Sequence, residues 1–192
     1  RAVPKALVDA KTKDLVIDNQ GTINIIVLIN RELVAGAQTK ISLLATEAKS
    51  AALSQLVISS KSSPFLATGT GTDQLIIASP INTDKPPLPS ASGHLKLGEL
   101  VGSAVREAVL EALVWQNGLV PSSGANVFDA LGRYGLTEKV MLGGLQRYLS
   151  EADYILAKSN LQSFSSDSRV SAAAYAYASL LDRLQFGNLH SD

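Results

Sequence analysis

Thr22-Ile23-Asn24-Ile25-Ile26-Val27-Leu28-Ile29 is the stretch on which the fold turns. It is β-branched and almost continuously apolar, with Asn24 as its one polar interruption. That pattern predicts a strand buried on both faces. Upstream, Leu15-Val16-Ile17 is a second β-type run, and Asp18-Asn19-Gln20-Gly21 between the two has the residues of a tight turn. Downstream of Asn30-Arg31-Glu32 the period changes. Ala37, Ile41, Leu44, Ala48, Ala51 and Leu56 recur at helical spacing, which predicts a helix over Gly36–Leu56. Its many alanines would let it lie close on a sheet.

Gln74–Ser79 reads as a third strand, ended by Pro80, and Asn82–Gly93 with its three prolines reads as a long loop. Leu97, Leu100, Val101, Ala104, Val105, Ala108, Ala112 and Leu113 form the stripe of a second long helix. Asn117-Gly118 stops it, and Pro121 follows. Asn126–Leu131, Glu138–Ser159 and Ser168–Gln185 read as further helices. The order β-β-α-β-α followed by helices predicts an α/β or α+β class, with a mixed sheet covered by long helices and a helical C-terminal segment. Two parts are expected: an α/β domain over 1–136, and a helical segment over 137–192 packed on the same domain.

Composition removes several function classes. The 192 residues carry 17 Lys+Arg against 17 Asp+Glu, no cysteine, and only His94 and His190. A thiolate nucleophile, a disulfide framework and a multi-histidine metal site are therefore excluded. Balanced charge and 5% aromatic residues argue against a nucleic-acid surface. The longest apolar runs, Ile23–Ile29 and Val170–Leu181, are too short for a membrane span of about 20 residues. No membrane partner is expected, and the absence of a signal-peptide pattern points to the cytoplasm. The opening Arg1-Ala2-Val3-Pro4 lacks an initiator Met and suggests a trimmed or fragmentary chain. The Ala/Tyr-rich Val170–Leu181 is a candidate self-association surface for a homo-oligomer, burial on its own domain being the plainer account.

Chemistry concentrates in two segments. Ala67-Thr68-Gly69-Thr70-Gly71-Thr72-Asp73 places two glycines, three hydroxyls and a carboxylate just before a strand. Backbone N–H groups at Gly69 and Gly71, with the hydroxyls and the carboxylate as further donors and acceptors, could hold an oxyanion, a phosphate or an amide carbonyl. A nucleotide fingerprint would need its glycines between a strand and a helix, so the order here is wrong for one. A polar turn into a strand is the alternative account. The second segment is Gly93-His94-Leu95-Lys96-Leu97-Gly98-Glu99. His94 can carry a proton near neutral pH, with Lys96 and Glu99 to tune or orient it; a solvated loop histidine is the plainer reading. Glu47, beside Ala48, is either a rim charge paired with Lys40 or Lys49, or a carboxylate aimed at the Gly/Thr turn. Asn24 is either a satisfied core amide or a group presented at the sheet's end.

Three segments in this order resemble the adenosylcobinamide amidohydrolase family: Gly21–Ile25 with Ala45-Thr46-Glu47-Ala48-Lys49, then Ala67–Asp73, then Gly93–Leu100. Asn117-Gly118-Leu119-Val120-Pro121 adds to the likeness, which runs from about Asn19 to Leu136. The resemblance implies corrinoid salvage: hydrolysis of the amide joining the aminopropanol arm to the corrin ring, giving adenosylcobyric acid. It also implies a further N-terminal region with its own Asn- and Gly-containing motif, after which this chain begins.

Under that reading the catalytic candidates are Thr70, Thr72, Asp73, His94 and Glu99. The substrate-binding candidates are Asn24, Glu47, Thr68, Gly69, Gly71 and Lys96. No protein-bound cofactor is required, because cobalt arrives with the corrinoid. A bulky, flat substrate calls for a wide cleft, with Asn82–Gly93 as its lid or rim. The alternative is a non-catalytic corrinoid-binding module that uses the Gly/Thr loop only to hold ligand.

Overall fold

The computed structural model describes residues 7–8, 15–16, 21–120 and 124–190. The expected turn at Asp18–Gln20, the end of the first run at Ile17, and Pro121 lie outside them. The elements are β1 (Leu7–Val8), β2 (Leu15–Val16), β3 (Asn24–Leu28), α1 (Ala35–Gln55), β4 (Gln74–Ala78) and α2 (Lys96–Asn117). There follow α3 (Val127–Leu131), a 3₁₀ turn at Gly132–Tyr134, α4 (Glu138–Tyr148), α5 (Glu151–Ser159), α6 (Leu161–Ser165) and α7 (Ser168–Gln185). The class is mixed α/β with a helical C-terminal part.

Among the described residues, β3 does not pair with the run before it. β1 and β2 pair antiparallel with each other, and β3 pairs parallel with β4 from Asn24 opposite Gln74 to Leu28 opposite Ala78. Parallel neighbours need a crossover, and α1 supplies it. Ala37, Ile41, Ala45, Ala48 and Ala52 of α1 are buried, with Val27 of β3 and Val101, Val105 and Val109 of α2. Small side chains bring α1 close to its neighbours, as the alanine spacing predicts. The expectation that β3 is buried on both faces is corrected, since among the described residues helices cover one face only. Ile25 and Val27 turn inward, whereas Ile26 and Leu28 are 65% and 76% exposed.

α2 begins where its sequence motif says it should, for a steric reason. A Cβ on Gly98 would collide with the Ser92 carbonyl and sit 2.9 Å from that of Ala91. Only glycine lets the first turn of α2 rest against this loop, where the Leu95 N–H donates to the Ser92 carbonyl at 2.9 Å. At the far end Gly118 closes the helix in the left-handed conformation at φ 67°.

The chain forms two compact units. One reaches to Ser62 and takes in Leu66–Gly118; the other comprises Ser63–Phe65 and the chain from Leu119. The division thus falls at Gly118 rather than at 136. Its cause is the short helix α3: Asn126 caps it by accepting from the Phe128 N–H at 2.8 Å, and Val127 and Ala130 pack with Ala174 of α7. The single helix expected over Glu138–Ser159 is two, because Ser150 turns the chain and caps α5 by accepting from the Asp153 N–H. Among the described residues, no helix is long and apolar enough to cross a membrane.

The second unit is pinned by Arg133. Its guanidinium forks onto both oxygens of Asp182 at 2.5 and 2.7 Å and reaches the Pro64 carbonyl at 2.8 Å, while the Tyr134 hydroxyl donates to the same carboxylate at 2.5 Å. The Arg133 hydrogen bond holds Asp182 below the ordinary carboxylate range, and burial pushes the Tyr134 hydroxyl up to about 12. A carboxylate with a lowered folded pKa stabilises the fold above its ordinary pKa, and that contribution fades as acid titrates the folded group. Asp182→Asn should therefore lower stability by roughly 2–4 kcal/mol at neutral pH. The difference from wild type should shrink below about pH 4. Denaturant melts at two pH values check this, and an equal deficit at both would contradict it.

Candidate functional site

The Gly/Thr turn lies at the N-terminal end of the parallel strand pair. The Thr22 hydroxyl donates to the Thr72 carbonyl at 2.7 Å, and the Ile23 N–H donates to Asp73 Oδ1 at 3.1 Å. These bonds tie the turn to the start of β3 and aim the Asp73 carboxylate back toward α1. There it meets Lys49, whose ammonium donates to Asp73 Oδ2. Lys49 is 8% exposed, which is unusual for a lysine and sustainable only because it is paired.

Asp73 collects two more donors. Thr70 Oγ1 donates to Oδ1 at 2.5 Å, and the Thr70 N–H to Oδ2 at 3.0 Å. Burial works against the charged carboxylate, but the hydrogen bonds from Lys49, Thr70 and Ile23 outweigh it and hold Asp73 below its ordinary value. Asp73 is therefore an anion at neutral pH, with its oxygens largely committed. The Thr70 hydroxyl spends its proton on that anion, and its oxygen accepts only a long bond from the Thr72 N–H at 3.4 Å.

These groups line a cavity of about 430 Å³ that also takes in Thr46, Ser50, Thr68, Gly69 and Gly71. Ser50 Oγ donates to the Thr68 carbonyl at 3.0 Å, while Thr68 Oγ1 is buried with no hydrogen-bond partner among the described groups. Gly69 is dictated by the ion pair. A Cβ there would overlap the Asp73 carboxylate and fall 2.6 Å from Lys49 Nζ. Of the residues singled out in the sequence, Thr68, Gly69, Thr70, Gly71 and Asp73 converge here. Lys49 was missed as a site residue: a lysine on a helix face reads as a rim charge, and only an apolar neighbourhood at Ala45, Ala48 and Ala52 signals otherwise.

The other candidates lie elsewhere. Thr72 is exposed, and its side chain approaches Thr70 Oγ1 only at 3.4 Å. Asn24 is exposed and borders a separate apolar groove between β3 and α2. Glu47 is exposed on α1 and does not line the cavity. His94 is exposed ahead of α2, and Lys96 pairs with Glu99 at 3.0 Å on that helix's exposed first turn. None of these three lines the cavity. Among the described residues, no group of three or more His, Asp or Glu gathers to hold a metal ion.

The expectation that Asn82–Gly93 forms a lid over the Gly/Thr turn is corrected. That loop is bound at the opposite end of the strands. Leu88 bridges to Leu33, Thr83 Oγ1 donates to Glu32 at 3.1 Å, and Arg31 reaches the Pro86 carbonyl at 3.2 Å. The fit at Gly69 yields a direct prediction. Gly69→Ala should separate Lys49 from Asp73 and lower stability by roughly 1–3 kcal/mol through overpacking. An unchanged melting temperature would show that the turn yields without disturbing the ion pair.

Residues 5–121 match the model of a family described as adenosylcobinamide amidohydrolase. The chain is also 39% identical over 98 residues to an uncharacterized protein of Methanocaldococcus jannaschii. That match takes in 50% of this chain and 37% of the relative, so the chain spans well under two thirds of the relative's length. No solved structure matches. The family match holds Lys49, the Gly/Thr turn and the His94 motif, and ends just past the close of the first unit rather than at Leu136. On that match, covering more than half its residues, the chain belongs to the adenosylcobinamide amidohydrolase family.

Proposed function

We propose that this chain hydrolyses the amide that joins the aminopropanol arm to the corrin ring of adenosylcobinamide, releasing adenosylcobyric acid. The observation that carries this reading is the buried Lys49–Asp73 pair holding the Thr70 hydroxyl at a cavity, all within the segment matched by the family. A cavity of about 430 Å³ takes the amide arm, and the corrin ring stays at its mouth. Cobalt enters with the substrate.

In this mechanism Thr70 Oγ1 either attacks the carbonyl carbon or holds the water that does. Oxygen–carbon bond formation turns the carbonyl into an oxyanion. An ammonium has three donors, one of which goes to Asp73, so Lys49 retains N–H groups for that oxyanion, joined by the backbone N–H groups of Gly69 and Gly71. The C–N bond then breaks, and the nitrogen leaves with the proton given up by the attacking oxygen; where Thr70 is the attacking group, a water then cleaves the Thr70 ester, releasing the carboxylic acid and returning a proton to Thr70 Oγ1. Asp73, already saturated with donors, orients Thr70 and neutralises Lys49 more than it abstracts protons. His94, Lys96 and Glu99 stand outside this group. The saturation of Asp73 also favours the second reading, in which the cavity holds a corrinoid arm without cleaving it.

Purified protein incubated with adenosylcobinamide separates the two. Chromatography should show adenosylcobyric acid appearing with time. Thr70→Ala, Lys49→Met and Asp73→Asn should each slow its appearance by about 10²-fold or more, and His94→Ala by less than about tenfold. Bound corrinoid recovered intact after prolonged incubation would establish the holding role instead. Full turnover in both Lys49→Met and Asp73→Asn would remove this cavity from the chemistry.

A further inference from the structure

The α1 wall of the Lys49–Asp73 cavity carries two hydroxyls that the reaction above does not use. Thr46 and Ser50 both line the cavity. They stand at i and i+4 on α1, so they share one face of the helix with about 5–6 Å between their Cβ atoms. Lys49 lies on the same turn.

Chemistry fixes the direction of their hydrogen bonds. Thr46 Oγ1 donates to the Ser42 carbonyl at 2.9 Å, and Ser50 Oγ donates to the Thr68 carbonyl at 3.0 Å. A carbonyl oxygen has no proton to give, so neither bond can run the other way. A hydroxyl has one proton and two acceptor lone pairs, and here both protons are spent. Ser50 could turn its proton to a ligand only by leaving the Thr68 carbonyl, beside a Thr68 hydroxyl that already lacks a partner among the described groups. Toward the cavity, Thr46 and Ser50 therefore offer acceptors. The Lys49 ammonium, with one donor committed to Asp73, offers the N–H groups it has left.

Two acceptors beside a cationic donor complement one chemical group. A primary carboxamide has an oxygen that accepts and a nitrogen whose two N–H bonds diverge by about 120°. With each N–H···O bond about 2.9 Å long, the two acceptors would lie about 5 Å apart, which is the spacing of i and i+4 on a helix. A carboxylate matches on the carbonyl side but sets a second oxygen against these lone pairs. A substituted amide keeps at most one of the two N–H groups. We infer that the cavity takes an unsubstituted carboxamide, with Thr46 and Ser50 accepting from its –NH₂ and Lys49 donating to its oxygen. The activity this adds is release of ammonia. Water gives its O–H to the carbonyl carbon, the C–N bond breaks, and the nitrogen leaves as ammonia with the other proton of that water. The activity rests on the hydrolase reading above; the binding does not.

Binding and turnover test the inference separately. Nitrogen-15 amide spectra of the chain are recorded during titration with propionamide, N-methylpropionamide, N,N-dimethylpropionamide and propionate, and ammonia is measured after incubation with propionamide. Propionamide should shift the amides of Thr46, Ser50 and Gly69–Gly71. Affinity should fall about fivefold for each N–H removed, with propionate weakest. Thr46→Val should erase one of the two steps, and Thr46→Ser, which keeps the hydroxyl, should restore it. Equal affinity for the three amides, tighter binding of propionate, or no shifts at these residues would each overturn the assignment. Ordered binding with neither ammonia nor adenosylcobyric acid released would uphold the carboxamide site and remove the hydrolase reading. Cleavage of adenosylcobinamide without binding of propionamide would sink the carboxamide site alone, and cleavage without ammonia from bound propionamide would sink the added activity.

Discussion

The Lys49–Asp73 ion pair is the constraint around which the first unit is arranged. It joins the middle of α1 to the turn that leads into β4, two places separated by a helix end and a serine loop. Burying the Lys49 ammonium costs several kcal/mol unless a carboxylate meets it in good geometry. Everything about the turn serves that meeting. Gly69 clears the space, the Thr70 and Ile23 N–H groups complete the carboxylate's partners, and the Thr22–Thr72 bond keeps the turn against β3. The position of the Thr70 hydroxyl is a by-product of this satisfaction, since that hydroxyl is one of the four donors that make burial of the carboxylate tolerable.

This explains the placement of the cavity at the N-terminal ends of the two parallel strands. Open parallel sheets usually gather ligands at the opposite, C-terminal ends. Here those ends are occupied by structure: Leu33 and Leu88 bridge across them, and Glu32, Thr83 and Arg31 knit the proline-rich loop in place. The long loop is a fastening for the strand ends rather than a cover for a site.

Much of this was legible in the sequence where a local period decides the structure. The alanine spacing predicts a helix over Gly36–Leu56 and one is found over Ala35–Gln55; Gln74–Ser79 and Ser168–Gln185 are likewise close to their observed spans. The Gly/Thr turn stands out as a candidate site because hydroxyls, glycines and a carboxylate crowd into seven residues, most of which border one cavity. What escaped notice depends on distant partners. Lys49 looks like any helix lysine until Asp73, 24 residues on, is seen beside it. Gly98 reads as a helix-weakening residue until the Ser92 carbonyl is placed against it. The apolar run of β3 signals two buried faces, yet only alternate residues turn inward, because burial depends on which elements pack there as well as on residue type.

The open side of β3 has a practical consequence. Among the described residues, Ile26 and Leu28, with Ile76 of the neighbouring strand, form an exposed apolar strip, and β3 and β4 pair with no further strand. The chain carries no net charge and has an isoelectric point near 6.9, so at neutral pH nothing repels one molecule from the next. Concentrated solutions of this chain should therefore be least clear near pH 7 and tolerate handling better a unit or two to either side, where protein molecules acquire like charge.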